Sequence, residues 1–328
     1  MRIYNNTDQL PSFRQAVITI GTFDGVHTGH ARILGQLRQE AARIDGETVI
    51  ITFYPHPRKI VKGGSEEIRL INTLEEKIQL LSWLQIDNLV IVPFTEAFSQ
   101  LTAEEYIKDF LLAKFHPHTV IIGYDHRFGK GRLGDYHLLE QYSASEGFQL
   151  QEIPVHLLDE ISVSSTRIRE AIQRTDVASA NQLLGYPFFF SGLVVKGDQL
   201  GRTLGYPTAN LQLTNMEKLT PGDGIYAVEA VLLPKTGDGS SVGAATSPAD
   251  PFEAPRLKGM MSIGIRPTVG GKLRTIEVNL FDFNEDIYGR ELRVFVKKYL
   301  RPEEKFDGLP ALIEQLGKDK EDTLAALG

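Results

Sequence analysis

The chain has 328 residues, 42% of them hydrophobic and 23% charged, with a formal net charge of −7 and no cysteine. That length suits two domains at roughly 100–200 residues each, and no run of about 18 apolar residues is present to span a bilayer. An acidic balance argues against a nucleic-acid backbone as main partner, which needs a surplus of Lys and Arg, and the missing cysteines exclude disulfides, thiolate zinc sites and a Cys nucleophile. The first residues, MRIYNNTDQLPSF, carry no apolar signal segment, so a cytoplasmic enzyme is expected, with neither nucleic acid nor membrane as partner.

In the first half, β-branched runs at Val17–Ile20, Thr48–Phe53, Leu89–Val92 and Val120–Ile122 read as buried strands of a parallel sheet. Helical pattern lies between them. Ile33, Leu34, Leu37 and Ala41 share one helix face, while Thr73 with Glu76 and Thr102 with Glu105 each match a capping box. Strands alternating with helices predict an α/β domain of the doubly wound, Rossmann-like type, whose ligands sit beyond the carboxyl ends of its strands.

The character changes after about Leu184. Phe188–Lys196, Tyr226–Leu233, Met260–Ile265, Ile276–Phe283 and Leu292–Val296 read as strands with little helix between them, which predicts a small β-barrel. Leu309, Leu312, Ile313 and Leu316 then form the apolar face of a terminal helix that packs on the barrel. The stretch 235–255, rich in Gly, Ser, Ala, Asp and Pro, reads as an exposed loop. The domains are therefore placed at 1–184 and 185–328.

GTFDGVHTGH, residues 21–30, follows the first buried strand. Gly21, Phe23, Asp24 and Gly25 make the turn, and Gly29 lets a ligand approach the backbone between His27 and His30 at the start of a helix over 28–43. Free N–H groups and the positive end of the helix dipole favour an anion there. Two imidazole donors would suit a triphosphate, stabilising charge that develops during nucleotidyl transfer. A helix cap with surface histidines, or a metal pair, reads the same spacing, although no cysteine or nearby carboxylate pair completes a metal shell.

VSSTRIR, residues 163–169, places Ser164, Ser165 and Thr166 where an extended stretch gives way to a helix, a second set of hydroxyls and N–H groups for phosphate oxygens. Arg169 adds a forked cation. Arg167, two residues earlier, points to another side of the helix. Gly129, Gly131 and Gly134 satisfy the GxGxxG pattern, but they fall several residues past their strand between basic side chains, so a dinucleotide fingerprint is rejected.

All eight histidines precede residue 157, so a proton acceptor in the second half must be a carboxylate. Glu277 sits in a strand whose alternation puts Glu277, Asn279 and Phe281 on one face. GRTLGYPTANL, residues 201–211, supplies Gly201 and Gly205 for a backbone wrap, Pro207 to fix the turn, and Thr208 and Asn210 as hard oxygens suited to Mg²⁺. A solvated strand face and a plain Gly/Pro turn are the structural alternatives.

Together, HTGH and SSTRIR resemble the HxGH and SSTxIR motifs of the nucleotidylyltransferase superfamily. TFYPHPR (52–58), GYDHRFGKGRLGD (123–135), LLGYPFFFSGLVVKGD (183–198), PTAN (207–210), GIYAV (224–228), GIRPTV (264–269) and LFDFNEDIYGREL (280–292) are similar to the bacterial bifunctional riboflavin kinase/FAD synthetase family over nearly the whole chain. The resemblance implies ATP-dependent phosphorylation of riboflavin to FMN by the second domain. It also implies adenylylation of FMN to FAD, with release of pyrophosphate, by the first. It assigns ATP to Gly21, Phe23, Asp24, Gly25, His27, Gly29, His30, Ser164, Ser165, Thr166 and Arg169, with Gly201, Arg202, Gly205 and Pro207 lining the second ATP site. Asp125, Arg127, Phe128 and Gly129 are assigned to the flavin loop, Thr208 and Asn210 to Mg²⁺, and Glu277 to activation of the ribityl 5′-hydroxyl.

The partners implied are the small molecules riboflavin, FMN and ATP, and a homo-oligomer is compatible with the sequence. His126 and Asn279 depart from the family pattern, where an aromatic residue and a His are expected, and the 235–255 loop is longer than expected. Two other readings compete: a nucleotidylyltransferase acting on another phosphate ester with a non-catalytic flavin-binding barrel, and a flavin-binding regulator with decayed catalysis. Intact His27, His30, Arg169, Thr208, Asn210 and Glu277 disfavour both.

Overall fold

The computed structural model describes all residues except 62–67, 124, 154–162, 198–200, 202–203, 235–251, 253 and 269–270, and gives 266–268 and 271–273 as backbone only. Arg202 and nearly all of the expected 235–255 loop thus lie outside the described residues. The chain divides into two compact units, Met1–Ser164 and, among the described residues, Ser165 onward.

In the first unit six strands form one parallel sheet: β1 (Arg2–Tyr4), β2 (Val17–Ile20), β3 (Thr48–Tyr54), β4 (Asn88–Pro93), β5 (Thr119–Gly123) and β6 (Gln149–Ile153). Their order is β1-β4-β3-β2-β5-β6. The predicted strands are all present, and the doubly wound expectation is borne out. β2, the first five residues of β3 and the first five of β4 are wholly buried, because β-branched side chains on both faces meet flanking helices. β1 and β6 escape prediction because they are edge strands. The first has three residues, and the second, QLQEI, buries only Ile153.

Helices α1 (Thr28–Arg43), α2 (Pro57–Val61), α3 (Leu74–Trp83), α4 (Glu96–Ser99), α5 (Ala103–Glu105), α6 (Ala113–Phe115) and α7 (Tyr136–Glu146) complete the unit. Both predicted capping boxes form, Thr73 with Glu76 at the start of α3 and Thr102 with Glu105 at the start of α5. Between α5 and α6 the helix widens to π geometry over Tyr106–Leu112, which turns Tyr106, Ile107, Phe110 and Leu111 into the core. The order of the sheet reverses between β2 and β5. The motif at 21–30 follows β2 and the 124–135 loop follows β5, so both lie beyond the carboxyl ends of the strands at the switch point.

The second unit opens with α8 (Ser165–Gln173) and α9 (Val177–Leu184). Its six strands close into a barrel in the order β10-β11-β8-β7-β12-β9, from β7 (Phe189–Val195), β8 (Ala209–Leu213), β9 (Gly224–Leu232), β10 (Leu257–Thr268), β11 (Gly271–Leu280) and β12 (Glu291–Arg301). The small barrel is as predicted. α9 is fixed to it through Asn181, whose amide donates to Val296 O at 2.9 Å and accepts from Phe188 N at 2.7 Å.

Two details differ from the sequence reading. β11 ends at Leu280, so Phe281 leaves the strand in a turn through Asp282 (φ 54°) and does not extend the face of Glu277 and Asn279. The terminal helix α10 (Leu309–Leu327) leaves Leu309 52% and Ile313 42% exposed. It buries Asp319 and Thr323 instead. Arg301 of β12 grips Asp319 with both arms of its guanidinium, Nε to Oδ1 at 2.7 Å and Nη2 to Oδ2 at 2.6 Å. Such a shielded ion pair needs its geometry satisfied on all sides, and Gln315 Nε2 supplies a further hydrogen bond to Asp319 Oδ1 at 2.9 Å. No helix among the described residues is long and apolar enough to cross a membrane.

Candidate functional site

In the first unit the turn after β2 is strained. Phe23 (φ 47°), Gly25 (φ 94°) and Val26 (φ 36°) all take left-handed conformations, and Phe23, Asp24 and Val26 are buried. Gly21 precedes the turn, its N–H donating to Ile51 O at 3.0 Å. The Asp24 carboxylate accepts from Ile71 N at 3.0 Å and Asn72 N at 3.3 Å, which anchors the turn to the segment before α3.

His27 is the N-cap of α1: its Nδ1 accepts from His30 N at 3.3 Å. That bond leaves the proton of a neutral ring on Nε2, a donor for a phosphate oxygen. The rings of His27 and His30 stack with centroids 3.7 Å apart. Gly29 makes the pairing feasible, since a β-carbon there would press on His27 Nδ1 at 3.2 Å. Desolvation lowers the pKa of His27 to about 4 and that of His30 well below the usual imidazole value. Both are therefore neutral donors in the free protein at neutral pH.

Sequence reasoning passed over Lys77. It lies 7% exposed on the inner face of α3, with Leu80 and Leu81, and its Nζ donates to Thr22 O at 2.6 Å. The available signal was its spacing, three and four residues before two core leucines.

In the loop after β5, Asp125 is exposed, and Arg127 Nη1 pairs with Asp135 Oδ2 at 3.0 Å. Phe128 belongs to the core and stacks on Tyr106 with centroids 5.0 Å apart. Gly129 (φ 71°) passes so close to Ala103 that a β-carbon would sit 2.8 Å from its Cα and N. The glycines here serve a tight bridge between Phe128 and Gly134, as expected for a false dinucleotide fingerprint.

His126 stacks on Phe128, and its Nε2 is shielded without a hydrogen-bond partner among the described residues. Desolvation lowers its pKa to about 4. A group with a depressed pKa takes up its proton more readily unfolded than folded, so its contribution to stability is whole above pH 6.5 and lost as pH falls towards 4. For His126 and His27 that contribution is on the order of 3 kcal/mol each. Circular dichroism melts should therefore show stability falling between pH 6.5 and 4, with a shallower fall in His126→Phe. Equal slopes for the two proteins would count against this account.

Ser164 closes the first unit, and Ser165, Thr166 and Arg169 open α8 in the second, where Ile168 and Ile172 are the buried residues.

In the barrel, β8 and β11 pair with Asn210 opposite Glu277. The PTAN word is thus half turn and half strand, which hid β8 from the sequence reading. Thr208 Oγ1 donates to Glu277 Oε2 at 3.3 Å, leaving the hydroxyl lone pairs for a cation. Asn279 Nδ2 donates to Pro207 O at 2.7 Å and so holds the same segment. Gly201 and Gly205 flank the turn, with Tyr206 N donating to Gly201 O at 2.8 Å. The Asn210 amide packs against Gly197, in the space that a β-carbon there would take.

A cavity of about 340 Å³ is lined by Thr208, Asn210, Glu277 and Asn279, by Met260 and Met261 of β10, and by Leu312 and Leu316 of α10. A second, of about 310 Å³, is lined by Val194, Pro207, Phe283, Ile287 and Tyr288. Thr208 lines both. Along β8 and β11 the lining alternates, with Asn210, Glu277 and Asn279 on the first pocket and Ala209, Val278 and Leu280 on the second. For a divalent cation the donor set fits a hard ion held partly by phosphates and water. No group of three or more His, Cys, Asp or Glu among the described residues forms a self-sufficient metal cage.

Comparison with known proteins agrees with this geometry. A family model described as FAD synthetase matches residues 10–167 and one described as riboflavin kinase matches 184–327. The bifunctional riboflavin kinase/FMN adenylyltransferase of Escherichia coli K12 is 35% identical over 320 residues, covering 98% of this chain and 95% of the relative. That of Bacillus subtilis is 33% identical over 314 residues, covering 94% and 92%. A crystal structure described as a macrolide-efflux protein from Streptococcus pneumoniae superposes with a TM-score of 0.82 at 28% identity, covering 98% of each chain. Two consecutive family matches and relatives similar over nearly the whole length converge: the chain belongs to the bifunctional riboflavin kinase/FMN adenylyltransferase family.

Proposed function

We propose that residues 185–328 phosphorylate riboflavin and residues 1–184 adenylylate the resulting FMN, each with its own ATP. The observation that carries the kinase assignment is the Glu277–Thr208 pair, in which Glu277 lines the larger cavity and Thr208 lines both. The larger cavity, with its methionine and leucine walls, suits an isoalloxazine ring. The second, with Phe283 and Tyr288, suits the nucleotide. Glu277 takes the proton of the ribityl hydroxyl as that oxygen attacks the terminal phosphorus of ATP, and ADP leaves. Thr208 and Asn210 are the residues that would hold Mg²⁺, which when bound neutralises phosphate charge.

In the first unit, His27 and His30 donate to the phosphates as the FMN phosphate oxygen attacks the α-phosphorus and pyrophosphate departs. Gly29 admits the ligand to the start of α1. Ser164, Ser165, Thr166 and Arg169 remain assigned to ATP by the motif they share with the family, and the FAD synthetase match extends through the first three. Asp125 and Arg127 are the exposed side chains of the proposed flavin loop. Phe128 and Gly129 shape that loop from the core side. Incubation with riboflavin, ATP and Mg²⁺, followed by chromatography, tests the division: FMN should appear first and FAD with pyrophosphate after it. Accumulation of FMN alone would refute the assignment of the first unit.

A further inference from the structure

Between β2 and α1 the chain makes a turn with three left-handed residues, and the two histidines follow it directly. Such a turn holds its shape only where its surroundings fix it. Two clasps do so, both reaching to the region of α3. Asp24 takes the N–H groups of Ile71 and Asn72, and Lys77 Nζ takes the carbonyl of Thr22. The same carbonyl accepts from Thr52 Oγ1 at 3.3 Å, which ties the turn to β3.

We propose that Lys77 is a positioning residue for adenylyl transfer: its buried ammonium fixes the turn that delivers His27 and His30 to the triphosphate and adds a positive charge behind them. A lysine is among the residue types least often buried, and a neutral side chain of similar length would fill the space without desolvating a charge. Keeping an ammonium there makes sense where negative charge arrives and grows. Among the described residues, the titratable groups coupled to it are Asp24, whose charge supports the ammonium, and His30, whose protonation the ammonium opposes. Burial lowers the pKa of Lys77 to about 8, so the charge is carried at neutral pH and shed in mild alkali.

The inference rests on the assignment of His27 and His30 to the phosphates, and one set of assays on the full-length chain separates the two ideas. Lys77→Met, Lys77→Arg and His30→Ala are compared for FAD formation from FMN and ATP, with circular dichroism melts as the control of folding and riboflavin phosphorylation as the control of the second unit. For Lys77→Met the expected result is a loss of about 10²-fold in kcat, with KM for ATP little changed and the kinase rate intact. Lys77→Arg should recover most of that loss. In the wild type, kcat/KM for FAD formation should fall above about pH 8, the free-enzyme value, and Lys77→Arg should move that limb upward. If Lys77→Met fails to fold, the position of this limb in Lys77→Arg decides alone, and an unmoved limb overturns the proposal. A Lys77→Met rate within about threefold of wild type also overturns it. Unchanged FAD formation in His30→Ala would instead remove the site assignment beneath it.

Discussion

Glu277→Gln is expected to lower FMN formation by about 10²- to 10⁴-fold, the range for loss of a general base, while FAD formation from supplied FMN continues. The substitution is close to isosteric. An amide oxygen can still accept the hydrogen bond from Thr208, and the backbone pairing of β11 with Asn210 is untouched. The fold and both cavities should therefore survive, and what disappears is the group able to take a proton. Chromatography of products from riboflavin, and separately from FMN, distinguishes this outcome from general damage. A variant that still makes FMN within about threefold of wild type would take Glu277 out of the mechanism.

His30→Ala should do the reverse, lowering FAD synthesis by about 10²- to 10³-fold, the usual effect of losing one donor to a developing oxyanion, with phosphorylation of riboflavin unaffected. The N-cap of α1 should persist, because His27 Nδ1 accepts from the backbone N–H of residue 30, which alanine retains. His27→Ala would remove the cap as well, at a cost of about 1 kcal/mol, so it reports two effects where His30→Ala reports one. Pyrophosphate release with FMN as acceptor is the direct measurement. A His30→Ala chain that forms FAD at an undiminished rate would show that the stacked pair is only a helix start.

Much of this was legible in the sequence because the signals are local. β2 to β5 announce themselves as β-branched runs buried on both faces, and the boxes at Thr73 and Thr102 need only residues three apart. HTGH and SSTRIR are short words with chemical meaning, and Glu277 stood out as a carboxylate in an apolar strand. What stayed hidden depends on distant partners. Asp319 reads as a solvated helix residue until Arg301 is beside it, and Lys77 reads as surface until Thr22 is seen against it. The placement of Asn210 opposite Glu277 depends on β8 pairing with β11, a register that no local pattern specifies.

The distribution of imidazoles along the chain has a consequence for pH tolerance. All eight stand before residue 157, and those with depressed pKa values belong to the first unit, whereas the barrel has none. Burial holds His27 and His126 neutral down to about pH 4, so mild acidification that would charge an ordinary imidazole leaves these rings as they are.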